Sequence, residues 1–157
     1  ASDLLEPGNA VGRPVAAPNG ELIKELRRIP QDQARKGTQS AIYGAGAFPL
    51  HTDTAFLPVP VRFVVLRAWG DVRRPTTVKR FSDLISERDP QLKACVERAV
   101  WVVRAGGRAF YYSSRFGCGK LTGWRYDVDL MSPANAAART VHEALRPRVF
   151  REGEPIC

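Results

Sequence analysis

The feature that most limits the fold of this chain is a nearly continuous apolar run, residues 63–69, just after Pro58 and Pro60. Its side chains are mostly β-branched or aromatic, which is typical of a strand covered on both faces. The two prolines favour an extended approach to the run and cannot donate to a β-ladder. The run therefore predicts a buried β-strand, and with it a domain built around a sheet.

A histidine and an aspartate stand two residues apart shortly before this predicted strand. Side chains at i and i+2 of an extended chain point to the same side, so His51 and Asp53 can reach one metal ion together. They are two of the three ligands of the two-histidine, one-carboxylate triad, which leaves coordination positions of non-haem Fe(II) open. A turn capped by Asp53, with a local hydrogen bond from His51, is the competing interpretation.

The rest of the chain predicts short elements in one domain, residues 1–157. Residues 1–20 are dense in proline and glycine and predict an irregular arm. Periodicity, capping residues and a glycine turn predict a helix over 21–29, a strand within 38–48, helices over 81–85 and 91–98, a hairpin of 100–104 with 108–113, and a helix over 134–145.

A longer segment around the histidine resembles a known family. Its residues are Gly44-Ala45-Gly46-Ala47-Phe48-Pro49-Leu50-His51-Thr52-Asp53-Thr54-Ala55-Phe56, followed by Pro58, Pro60, Arg62-Phe63 and Leu66. They resemble the metal-binding region of the taurine dioxygenase and clavaminate synthase-like family of Fe(II)- and 2-oxoglutarate-dependent oxygenases. Weaker similarity extends from about residue 20 to about residue 139.

The resemblance implies roles for particular residues. His51 and Asp53 would ligate Fe(II), and Thr77, with Thr76 as the neighbouring alternative, would bind a carboxylate of 2-oxoglutarate. The segment Trp124-Arg125-Tyr126-Asp127 resembles the family's Arg-Tyr-Asp segment, and the guanidinium of Arg125 can bind a substrate carboxylate through two hydrogen bonds. Pairing of Arg125 with Asp127 or Asp129, to hold a strand, explains the arginine equally well.

One part of the family pattern is not found in this sequence. The family places its second histidine in a late Asn-x-x-x-x-His-Gly-Arg-like context, and the only other histidine here is His142, within a predicted helix. An exposed helical histidine is the simpler interpretation of His142. A truncated fragment, a short relative that completes its site with another residue or chain, and a loss of the oxygenase chemistry all remain open explanations.

Composition limits the classes of partner. The net charge of +8 comes from scattered short basic groups without a recognisable nucleic-acid module, so we expect a solvated surface that favours anionic small molecules rather than a nucleic-acid partner. Three cysteines without metal-ligand spacing predict reduced thiols. No apolar run reaches the length of a membrane span and no leader pattern opens the chain, so a cytoplasmic location is expected.

These observations and the resemblance lead to one expectation. The fold is α+β, a double-stranded β-helix (jelly roll, cupin-like) with flanking helices, incomplete at its C-terminal end. The function is hydroxylation or desaturation of a small, amino-acid-like substrate with Fe(II) and 2-oxoglutarate. A catalytically inactive small-molecule binding or regulatory domain on the same fold is the alternative, and exposed strand edges favour a homodimer.

Overall fold

The computed structural model describes residues 5–17, 19–27, 29–36, 38–44, 46, 48–68, 78–86, 90–105, 107–117 and 122–146. The helices are α1 (Leu5–Val11), α2 (Gln39–Tyr43), α3 (Phe81–Ser86), α4 (Pro90–Arg98) and α5 (Ala136–Leu145), with a 3₁₀ turn at Gln31–Gln33. The strands are β1 (Val100–Ala105), β2 (Arg108–Ser113), β3 (Arg115–Phe116), β4 (Gly123–Trp124) and β5 (Ser132–Pro133).

The centre of the fold is an antiparallel sheet in the order β2-β1-β5. The predicted hairpin is confirmed, with Trp101 opposite Tyr112 and Ala105 opposite Arg108. Gly107 lies in its turn at a φ of +75°, a conformation that glycine adopts without steric cost. A second, two-stranded sheet pairs β3 with β4 and follows directly from β2.

The hydrophobic core lies where α4 and α5 pack on each other and α5 packs on β1. Trp101 is fully buried there, and its indole N–H donates to Ser114 Oγ at 2.6 Å, which satisfies the polar atom of the largest core side chain. Burial of each large aliphatic side chain contributes about 1.5–3 kcal/mol. The helices predicted over 81–85, 91–98 and 134–145 are confirmed, and their inward residues include Leu92, Val96, Ala138, Val141 and Leu145.

Several expected elements in the first half of the chain are wrong. Residues 21–27 form no helix, because the described elements do not cover side chains such as Leu26, which is 72% exposed, and a short helix needs such packing. The strand predicted within 38–48 is replaced by α2. The arm over residues 1–20 is not irregular throughout, since it contains α1, in whose first turn Pro7 gives up no intrahelical hydrogen bond.

The apolar run is also not the buried strand that its composition predicts. Residues 63–68 belong to no described strand, and Phe63, Val64, Val65 and Leu66 are each at least 41% exposed. A strand is buried only when other layers cover it, and the described helices and sheets pack on one another instead. The homodimer stays a prediction.

The described residues therefore combine helices with two small antiparallel sheets. They form no closed barrel, and the jelly roll stays a prediction. Within the described part of the chain, no helix combines the length and apolar character needed to cross a membrane.

Candidate metal-binding turn

The segment from Pro49 to Pro60 leads through a tight turn that carries both predicted metal ligands. Two backbone hydrogen bonds shape it: Ala55 N–H donates to Thr52 O at 3.2 Å, and Leu57 N–H donates to Thr54 O at 2.9 Å. Thr54 has a φ of +56°, which is unusual for a β-branched residue, and its Oγ1 accepts the N–H of Val61 at 2.9 Å. We call residues 51–58 the candidate metal-binding turn.

His51 and Asp53 are brought together on this turn. Nε2 of His51 lies 3.6 Å from Oδ1 of Asp53, and their side chains are 28% and 56% exposed. Nδ1 of His51 lies 2.9 Å from the carbonyl oxygen of Pro49, so it donates there when it carries the proton. A backbone carbonyl on one ring nitrogen orients the ring and leaves the other nitrogen as the metal-binding one.

The electrostatics of the turn couple these two side chains. The Asp53 carboxylate raises the pKa of His51 to about 9 although burial opposes the change, and the Pro49 carbonyl and the charge of Asp127 add to the increase. His51 in turn lowers the pKa of Asp53. At neutral pH the two groups form an ion pair, with a separation longer than that of a good hydrogen bond.

The turn is fastened to the segment that follows β4. Thr52 N–H donates to Tyr126 O at 2.7 Å, and Tyr126 N–H donates to Thr52 Oγ1 at 3.3 Å. Thr52 lies between the two candidate ligands, so this pair of bonds fixes the backbone between them. Burial raises the pKa of the Tyr126 hydroxyl, which therefore stays protonated at neutral pH.

Arg125 contacts the same turn from the neighbouring position. Its Nη1 donates to Leu57 O at 2.6 Å and to Ala55 O at 3.3 Å, and its Nη2 donates to Pro58 O at 2.9 Å. The guanidinium carbon lies 4.9 Å from the ring centroids of Tyr112 and Phe116. Burial lowers the pKa of Arg125, but a guanidinium remains charged in proteins.

This arrangement differs from the predicted pairing of Arg125 with Asp127 or Asp129. Its terminal nitrogens donate to backbone carbonyls, and the charge is met by carbonyl dipoles and aromatic rings rather than by Asp127 or Asp129. The predicted contact with a substrate carboxylate stays a prediction. Thr77 and Thr76, the predicted 2-oxoglutarate contacts, lie outside the described residues.

Comparison with known proteins does not extend this description. No family model, no curated protein and no solved structure matches the chain.

The donor atoms of the turn suit a divalent metal but supply only two ligands. An imidazole nitrogen and a carboxylate oxygen are acceptable to Fe(II), Mn(II), Co(II) and Zn(II). Among the described residues, no group of three or more His, Cys, Asp or Glu side chains is placed to hold a metal ion. The residues present thus fit part of a metal site.

His142, the weak candidate for a third ligand, has its own surroundings on α5. Its Nδ1 lies 3.5 Å from the Tyr126 hydroxyl, and its ring packs against Trp101 and Tyr126. Burial lowers the pKa of His142, and the nearby charge of Arg146 adds to the decrease. It is partly buried rather than exposed, and the described residues do not group it with His51 and Asp53.

The sequence did not identify two features of this site. Asp127 is buried, and its carboxylate accepts the N–H groups of Asp129 and Leu130 at 2.9 Å each. The Tyr43 hydroxyl donates to Asp129 Oδ1 at 2.9 Å across 86 residues of sequence. The Asp-x-Asp pattern is a recognisable sequence signal for the role of Asp127. No local sequence pattern indicates the hydrogen bond between Tyr43 and Asp129.

Proposed function

We propose that this chain is a non-haem Fe(II)- and 2-oxoglutarate-dependent oxygenase that hydroxylates or desaturates a small, amino-acid-like substrate. The observation that carries the proposal is the convergence of His51 Nε2 and Asp53 Oδ1, 3.6 Å apart, with the other ring nitrogen of His51 next to the Pro49 carbonyl. The resemblance of residues 44–56 to the metal-binding region of such oxygenases supports the same assignment.

Each residue has a defined task in this proposal. His51 and Asp53 hold the metal, which takes the place of the proton on Nε2 of His51, and the Pro49 carbonyl keeps the remaining ring proton on Nδ1. The Thr77 hydroxyl binds a carboxylate of 2-oxoglutarate, and the positive net charge of the chain favours this anionic co-substrate. Bound Fe(II) would supply the oxidising chemistry with O₂ as the oxidant and 2-oxoglutarate as the co-substrate that is converted to succinate and CO₂.

The two protein ligands leave one protein ligand to be assigned. We propose that the third ligand is His142 after a rearrangement, a residue outside the described ranges, or a residue of another chain. Substitution of His142 separates the first possibility from the other two, because His142 is the only other histidine of the sequence.

The experiment is an anaerobic titration of the chain with Fe(II) and 2-oxoglutarate, followed by the weak visible charge-transfer band of the chelate. We expect the band in the wild type, its loss in His51→Ala and in Asp53→Ala, and its retention in the matched control Asp83→Ala. Asp83 is an exposed aspartate of α3. Retention of Fe(II) with unchanged affinity in His51→Ala would contradict the assignment.

A second candidate function is favoured by one observation. The described residues offer no third metal ligand beside His51 and Asp53. A catalytically inactive small-molecule binding or regulatory domain needs none. It predicts little affinity for Fe(II), no chelate band, and no succinate formed from 2-oxoglutarate, whereas the oxygenase predicts succinate in step with substrate oxidation.

A further inference from the structure

We propose that Arg125 is a positioning residue that holds the candidate metal-binding turn in the shape that brings His51 and Asp53 together. It acts through the backbone of residues 55–58 and not by touching a metal or a substrate. The part of this inference that concerns metal binding rests on the proposed function.

The contacts of Arg125 are concentrated on one short stretch of backbone. Three carbonyl oxygens, those of Ala55, Leu57 and Pro58, accept hydrogen bonds from its two terminal nitrogens at 2.6–3.3 Å. Bonds from an ionised donor are stronger than neutral ones, and the planar fork of a guanidinium reaches several acceptors at once. The side chain is only 3% exposed, so water competes little for these carbonyls.

The neighbouring strands are built to hold this guanidinium in place. Tyr112 of β2 and Phe116 of β3 each place a ring 4.9 Å from its central carbon, a distance typical of cation–π contacts. A Cβ atom on Gly123 would lie 2.5 Å from the Phe116 ring, so only glycine leaves room for that ring. The pocket for Arg125 therefore depends on residues of β2, β3 and β4 together.

A second connection to the turn comes from Tyr126, the residue after Arg125. The two hydrogen bonds between Thr52 and Tyr126 anchor the turn before Asp53, and Arg125 anchors it from Ala55 onward. Asp53 and Thr54 lie between these two anchors. The left-handed conformation of Thr54 is retained because both of its sides are fixed, as expected for a strained residue in a well-determined surrounding.

Loosening one anchor has a direct consequence for the site. If the carbonyls of residues 55–58 are released, Thr54 can relax to an ordinary extended conformation. That change redirects the backbone immediately after Asp53 and removes its carboxylate from His51. Two ligands on a flexible backbone bind a metal more weakly than two ligands that are already placed.

The test measures binding of Co(II), a spectroscopic substitute for Fe(II), by visible absorption. We expect Arg125→Met and Arg125→Lys to weaken Co(II) binding at least tenfold, because neither side chain provides the planar fork. The matched control is Val141→Ala, which shortens a buried side chain of α5 and removes no hydrogen bond of the turn. It should lower the unfolding temperature and leave Co(II) affinity within twofold of the wild type.

Chemical rescue separates positioning from a general loss of stability. In Arg125→Ala, guanidinium ion at tens of millimolar should restore part of the Co(II) affinity, and ammonium at the same ionic strength should not. A second measurement is hydrogen exchange of the Ala55 and Leu57 amides. Both should exchange at least tenfold faster in Arg125→Met, while α5 amides are unchanged.

The outcomes distinguish this inference from the proposed function. Wild-type binding that disappears in His51→Ala but is unchanged in Arg125→Met overturns the positioning role and leaves the function standing. A wild type that binds no Co(II) contradicts the function, and exchange at Ala55 and Leu57 then decides whether Arg125 holds the turn. If Arg125→Met does not fold, the lysine variant and the guanidinium rescue decide instead.

Discussion

Thr54 is the residue at which the sequence and the backbone disagree most. A β-branched side chain disfavours the left-handed region, yet Thr54 adopts a φ of +56° there, directly after a candidate metal ligand. Its hydroxyl oxygen accepts the N–H of Val61 at 2.9 Å, which compensates part of the cost. The residue thus joins the candidate metal-binding turn to Val61, two residues before the apolar run.

We expect Thr54→Val to lower the free energy of unfolding by about 1 kcal/mol, because valine keeps the shape and removes the acceptor for Val61 N–H. Thr54→Ser keeps the hydroxyl and should retain most of the wild-type stability. Urea denaturation of the three proteins measures the difference. Equal stability of the valine and serine variants would show that the hydrogen bond contributes nothing.

At the scale of secondary-structure elements, the side chain of Asn135 connects α4, β1 and α5. Asn135 caps α5 by accepting the Ala138 N–H at 2.9 Å, and the same oxygen accepts the Val100 N–H of β1 at 3.3 Å. Its side-chain amide donates to the Arg98 carbonyl at the end of α4, at 2.8 Å. The junction of the two core helices with the central strand therefore depends on this asparagine.

Removal of that side chain should destabilise the whole junction. We expect Asn135→Ala to cost about 2 kcal/mol, the sum of a lost helix cap and an unpaired backbone N–H group. Asn135→Asp keeps the acceptor and loses only the donor to Arg98, so its cost should be smaller. Thermal unfolding followed by circular dichroism ranks the three proteins, and an alanine variant as stable as the wild type would contradict this account.

The elements near Asn135 were also the predictable ones. Helices α3, α4 and α5 and the β1–β2 hairpin follow from local signals: Pro90 in a first turn, apolar residues at helical spacing, and a glycine turn. The expected helix over 21–29 has the same kind of periodicity and did not form in the described residues 21–27. Periodicity defines an apolar face, but only a packing partner makes a short helix stable.

At the scale of the whole molecule, the burial of His142 against two other segments makes the stability depend on pH. Burial lowers the pKa of His142 below its usual value near 6.5, Arg146 lowers it further, and Glu143 opposes the change. From other elements, Tyr126 and Trp101 pack against its ring. Because the folded pKa is the lower one, the unfolded chain binds the proton more readily, and acid favours unfolding at this residue.

The prediction compares the wild type with His142→Phe, which keeps an aromatic ring beside Trp101 and Tyr126. The stabilising contribution of neutral His142 is complete above pH 6.5 and is lost as the pH falls through 6.5 towards the lower folded pKa. The phenylalanine variant should gain stability relative to the wild type between pH 7 and pH 5. Urea denaturation at several pH values measures this difference, and a difference that is constant with pH would contradict it.

The sequence by itself determined the features that depend on neighbours along the chain. His51 and Asp53 share a turn because only Thr52 separates them, and the caps and periodicity of residues 81–145 specify local elements. Tertiary structure decided the rest. Arg125 donates to residues about 70 positions away, Tyr43 bonds to Asp129 across 86 positions, and residues 63–66 stay exposed. The type of a side chain determines which contacts favour it. Only tertiary packing provides the carbonyl groups, aromatic rings and covering layers that make those contacts.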